Sequence, residues 1–161
     1  MMVDTARMKS WTDSLYGFTV SYPGFFNPTD DCRFTFYPPA FNPRWRDCGQ
    51  IEMQCRVMRS KADWNAEEAL RTIGETTTIT RCNRLSDGII IDGTVGQENG
   101  AVSGHRYHAK CIMRQKLLFV FSLVYTEDCS EAVGRLRKVV DQWEFADEPQ
   151  ISQKNTEELK K

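Results

Sequence analysis

From Phe18 to Tyr22 apolar and polar residues alternate with period two, the pattern of a strand with one buried face. Gly17 frees its entry, and Pro23, which has no N–H to give a ladder, ends it. A turn-rich stretch over residues 24–31 leads to a second predicted strand at 33–37, stopped by Pro38 and Pro39. Residues 38–47 hold three prolines and show no periodicity. Beyond them Ile51, Met53, Cys55 and Val57 alternate with Glu52, Gln54 and Arg56, which predicts a third strand with a polar outer face.

The spacing then changes to that of a helix. Ala66, Ala69, Leu70 and Ile73 fall on one helical face, Asn65 stands at the capping position, and Glu68 three residues on completes a capping-box pattern. Gly74 lies where a terminating residue is expected. The β-branched run 76–80 returns the chain to extended structure. Asp87-Gly88 and Asn99-Gly100 read as hairpin turns, the second into a strand running through Tyr107 and Cys111. Gln115-Lys116 is a weaker turn signal, because neither side chain tolerates positive φ well. Residues 117–125 are apolar on both faces, so this strand is expected at the centre of a sheet covered on both sides. A second helix is expected to follow, capped by Asp128 with Glu131 three residues on, and burying Val133, Leu136, Val140 and Trp143. The residues from 147 to 161 are polar and unpatterned and read as a flexible tail.

The resulting fold class is α+β: a twisted antiparallel sheet of six or seven strands with helices on its faces. At 161 residues, one domain is expected, placed at 15–146 after an N-terminal arm at 1–14. The string Tyr16-Gly17-Phe18 with Tyr22-Pro23, and a closing helix leading to Trp143-Glu144-Phe145, resemble the PsbP-like domains. That family's fold is shared by the photosystem II extrinsic protein and a Ran-binding nuclear transport factor. The resemblance runs over roughly 15–145. It implies an αβα sandwich and a mostly non-catalytic, partner-binding role. The proline- and arginine-rich loop and the cysteines lie outside it.

Charge and hydropathy remove several classes of function. A formal net charge of -1 gives no global field to draw in nucleic acid or an anionic membrane. Apolar runs stay below the ~18 residues that a spanning helix needs. Residues 1–10 carry charges and lack an apolar h-region, so a signal peptide is not expected as the chain is written. A secreted chain stripped of its leader would read the same.

Six cysteines (32, 48, 55, 82, 111 and 129) bear on the compartment. None forms a C-x-x-C pair, and the closest two, Cys48 and Cys55, fit no common zinc knuckle. Buried thiols and disulfides both account for them, and the even count favours disulfides in an oxidising compartment. Cys32 with Cys55 is the expected pair, because a hairpin through the proline-rich loop sets them opposite, with Cys32–Cys48 as the alternative.

Catalytic constellations are weak. His105 and His108 are three apart on a strand, so they point to opposite faces and cannot share a metal without a bulge. Cys111 and His108 also face apart, and His105 lies roughly 20 Å along the same strand. Gly93 and Gly96 read as a bulge or a close backbone contact rather than a phosphate cradle. Asp30-Asp31 reads as a solvated turn, lacking the spaced oxygen ligands of a calcium loop. The surface candidate is the loop carrying Tyr37, Phe41, Arg44, Trp45 and Arg46. It joins hot-spot residue types to prolines that lower the cost of presenting them. Phe41 and Trp45 folding back over the sheet is the competing reading.

The expectation is therefore a non-enzymatic, extracytoplasmic (periplasmic or secreted) module that binds a protein and needs no cofactor. One alternative is a small enzyme or ligand-binding domain with a pocket between sheet and helix. Another is a cytosolic partner-binding factor with all thiols reduced.

Overall fold

The computed structural model describes residues 7–38, 48–95, 105–126, 129 and 133–145. Among these, nine strands and two helices follow in order. They are β1 (Met8–Thr12), β2 (Thr19–Pro23), β3 (Asn27–Pro28), β4 (Arg33–Phe36), β5 (Ile51–Arg59), α1 (Ala66–Gly74), β6 (Thr77–Arg84), β7 (Gly88–Val95), β8 (His105–Arg114), β9 (Leu117–Thr126) and α2 (Gly134–Asp141). Strands β3 to β9 form one antiparallel sheet in the order β3-β4-β5-β9-β8-β7-β6, and β1 pairs with β2 in a separate ribbon. This is the α+β class expected. Its order of strands, helix, antiparallel strands and closing helix is the one the PsbP-like resemblance implies.

The fourth of the seven strands is β9, as its two apolar faces require. Phe119, Phe121 and Leu123 pack in one core with Phe18, Val20 and the α2 residues Leu136 and Val140. Leu118 and Val120 pack in the other, under Ala69 and Ile73 of α1. Full burial of a side chain such as Phe121 contributes about 1.5–3 kcal/mol, so the central strand joins both layers.

Helix α1 begins where its cap is legible. The Asn65 side chain accepts from the Glu68 N–H at 2.8 Å. The Glu68 carboxylate turns to Arg71, 2.5 Å away. Gly74 is the last helical residue, and Glu75 closes the helix in the right-handed region. Helix α2 differs from expectation at its start. It opens at Gly134 with Val133 as N-cap and no side-chain cap bond among the described residues. Asp128 and Glu131 lie outside the described residues, as do Gly96, the Asn99-Gly100 turn and the tail 147–161. The buried stripe Val133, Leu136, Val140 and Trp143 is as expected.

Three local features go beyond the sequence reading or against it. The segment 1–14, expected as an arm, contains β1, which pairs with β2 from Met8↔Pro23 to Thr12↔Thr19. Its side chains are exposed or half-buried, so no alternation marks it, and the β2 backbone supplies the pairing. The β8–β9 turn forms in spite of its residues, with Gln115 at φ +56. It is held from outside: the Trp64 and Ser60 N–H groups donate to the carbonyls of Gln115 (2.7 Å) and Lys116 (2.9 Å). The Trp64 indole also donates to Lys116 O.

The third concerns the disulfide, which joins Cys48 to Cys129 rather than Cys32 to Cys55 or Cys48. Strand β5 pairs with β9 from Glu52↔Val124 to Arg59↔Leu117, so the chain entering β5 and the chain leaving β9 meet at one end of the sheet. There the Gly49 N–H donates to the Thr126 hydroxyl, which also contacts Cys129 Sγ at 3.1 Å. Cys32 and Cys55 do lie opposite each other, one step beyond the Arg33↔Gln54 pair, with the Cys55 N–H donating to Cys32 O at 3.0 Å. Both are free, buried thiols. No helix among the described residues is long and apolar enough to cross a membrane.

Candidate functional site

Tyr37 follows the end of β4, which is fixed in the sheet by Phe36↔Ile51. Phe36 turns inward onto Phe25 and Phe26, with ring centroids 4.6 and 5.5 Å away. Strand alternation then sends Tyr37 outward, and it is 67% exposed. The other described aromatic side chains are buried or half-buried. Phe41, Arg44, Trp45 and Arg46 lie outside the described residues.

A second concentration of functional groups lies between α2 and the sheet. The register sets Arg81 opposite Asp92, and Asp92 opposite His108, across β6, β7 and β8. His108 is 1% exposed. Its Nδ1 lies 2.8 Å from Asp92 Oδ1 and its Nε2 lies 2.6 Å from Asp141 Oδ1 at the end of α2. A ring protonated at both nitrogens donates to both carboxylates, whereas a neutral ring leaves a lone pair against one of them. Arg137 Nη1 donates to Asp92 Oδ1 at 3.0 Å and to the Tyr125 hydroxyl at 3.1 Å. Lys110 Nζ donates to the carbonyls of Asp141 and Trp143, holding the end of α2 from the same strand as His108.

Burial pushes the Asp92 carboxyl up, but hydrogen bonds from His108 and Arg137, with their charge, outweigh it and hold the group below the usual carboxylate range. The network thus keeps Asp92 ionised while fastening α2 to β7, β8 and β9. Beside it opens a cleft of about 360 Å³, lined by Arg81, Asp92, Gly93, Arg106, Tyr125 and Arg137 among others.

The thiols lie elsewhere. Burial pushes the Cys111 thiol up to about 12. Cys55 is pushed well above its ordinary value, first by burial and then by its hydrogen bond to Cys32. Since the thiolate is the nucleophile, both sites disfavour the reactive form. Cys111 packs in the α1 core, on the face of β8 opposite His108. His105 begins β8 on the Cys111 face, and its buried Nδ1 has no hydrogen-bond partner among the described residues. Asp31 sits in an exposed turn, taking the Thr29 hydroxyl and pairing loosely with Arg33.

Sequence reasoning placed His108 on its own strand face but missed both carboxylates, which are 16 and 33 residues away. The available signal was compositional: Asp92 is the one charged residue of a mostly apolar strand, and Asp141 falls one residue past Val140 in the α2 stripe. Gly93 was legible as a close contact. A Cβ there would lie 2.2 Å from Thr78 O, beside the register slip between Ile79 and Arg81.

No protein-family model matches the chain, and no curated protein is similar to it in sequence. Among solved structures it is similar to the solution structure of cyanobacterial PsbP from Synechocystis sp. PCC 6803. The identity is 10%, the match covers 86% of this chain and 91% of that one, and the TM-score is 0.46.

Proposed function

We propose that the domain is a non-enzymatic, extracytoplasmic module that binds another protein through Tyr37 and the loop that follows it. The observation that carries this reading is Tyr37, the aromatic residue that the described part of the fold leaves in solvent while packing the others. Exposed tyrosine is costly in water and valuable in an interface, because it buries a large area with few rotamers to freeze. It leads directly into a stretch that carries Phe41, Arg44, Trp45 and Arg46 together with Pro38, Pro39 and Pro43. The Cys48–Cys129 disulfide supports an oxidising compartment. The buried, raised thiols of Cys55 and Cys111 support a role other than nucleophilic catalysis.

A photo-crosslinking residue at position 37 in the native host identifies the partner. That partner's affinity is then measured for the wild type, Tyr37→Ala and the double variant Arg44→Ala/Arg46→Ala. At least one variant should bind about fivefold more weakly or worse, the effect of losing a hot-spot side chain. Folding stability should stay within about 0.5 kcal/mol. Unchanged affinity in both variants places the interface elsewhere. A large loss of stability in the double variant assigns the arginines to the fold and rejects their part in binding.

A further inference from the structure

We propose that the cleft between α2 and strands β6 to β9 is a binding site for a small, multiply charged oxyanion, with Arg137 and Arg81 as its principal contacts. The described lining residues include the guanidinium groups of Arg81 and Arg137 beside one carboxylate, that of Asp92. That carboxylate is already engaged by His108 at 2.8 Å and Arg137 at 3.0 Å. The guanidinium fork matches the oxygens of phosphate and carboxylate alike, and the cleft's volume of about 360 Å³ falls within the range of small-molecule sites.

Two further observations bear on the arginines, one fixing the Arg137 side chain and the other setting the strand face that carries Arg81. Arg137 is fixed from behind, with Nη1 on both Asp92 and the Tyr125 hydroxyl, and Asp92 is itself oriented by a histidine buried to 1% exposure. A side chain ordered before binding loses less conformational entropy on meeting its ligand. Arg81 is re-aimed by a β-bulge, since the β6–β7 register slips between Ile79 and Arg81. Bulges turn side chains away from the regular alternation. This bulge is built in from both sides: the Thr80 hydroxyl donates to Asp92 O at 3.2 Å, and Gly93 admits the β6 backbone where a Cβ would not fit.

Calorimetric titration of the full chain with pyrophosphate and with citrate tests the site, because these probes carry the two oxyanion chemistries on small frames. One equivalent of at least one probe should bind, more weakly as salt rises. Arg81→Ala should weaken binding about tenfold or more, the order for a lost charge-assisted hydrogen bond. Arg137→Lys keeps the charge and loses the fork, and should do the same. Arg71→Ala, on α1, should bind like the wild type. Preference for pyrophosphate identifies a phosphate-bearing ligand, and preference for citrate a carboxylate-bearing one. Absence of binding by both probes at millimolar concentration overturns the proposal. So does binding that Arg81→Ala and Arg137→Lys, both still folded by circular dichroism, leave unchanged.

Discussion

His108 shows how a single residue's role depends on what the fold brings to it. In the sequence it is one of two histidines on a strand, and nothing local distinguishes it. Packing sets a carboxylate against each ring nitrogen, one from the neighbouring strand and one from the last turn of α2. Removing one partner of such a buried arrangement costs more than an exposed ion pair contributes, because the remaining charge stays desolvated. Asp92 gives this a pH signature. Its carboxyl is held below the ordinary value in the folded protein, against about 3.9 in the unfolded chain. A depressed folded pKa contributes stability that is present above the unfolded value and lost as pH falls through the folded one. The stability advantage of the wild type over Asp92→Asn should therefore be full above about pH 5 and shrink as pH falls below about 4. Urea unfolding of both proteins across pH 6 to 2 measures it, and two parallel curves would show that Asp92 gains nothing from its partners.

At the scale of elements, legibility followed how local the determining forces are. The α1 cap needs only Asn65 and the N–H three residues on, and it was readable from spacing. The central position of β9 follows from its own two apolar faces. The β8–β9 turn carries only a weak local signal because Trp64 and Ser60 stabilise its strained Gln115 from a segment about fifty residues away, which no local propensity reports. Strand β1 was missed for a related reason: its partner β2 defines it, and its own side chains bury little. The closing helix was legible through its stripe, and its anchor is testable. Trp143 is 5% exposed and meets Phe18 and Phe121 edge-on, at 6.0 and 5.6 Å between centroids. Trp143→Ala should destabilise the domain by about 3–5 kcal/mol in chemical unfolding, as deletion of a buried aromatic does. A loss below about 1 kcal/mol would mean that α2 keeps its place without the Trp143 anchor.

At the scale of the whole molecule, the even cysteine count proved informative about chemistry and uninformative about pairing. The register explains both outcomes. Antiparallel pairing of β4 with β5 does set Cys32 against Cys55, as the hairpin argument required. Pairing of β5 with β9 also joins Cys48 to Cys129 across a sequence separation of 81, a contact that depends on long-range topology and has no local signal. Closing so long a loop restricts the unfolded chain strongly, by about 4.5 kcal/mol in the chain-entropy view, of which disulfides typically deliver about 2–4 kcal/mol. Protein purified without reductant from an oxidising compartment should therefore show four free thiols on titration after denaturation, from Cys32, Cys55, Cys82 and Cys111. Peptide mapping should recover Cys48 linked to Cys129. Cys48→Ser/Cys129→Ser should lower the unfolding free energy by about 2–4 kcal/mol, while a reductant should have no further effect on the double variant. Six free thiols would remove the disulfide and its support for an extracytoplasmic location. Two free thiols, with a second link between Cys32 and Cys55, would show that the facing pair also closes under oxidising conditions, and would fasten β4, and with it the exposed Tyr37, more firmly to the sheet.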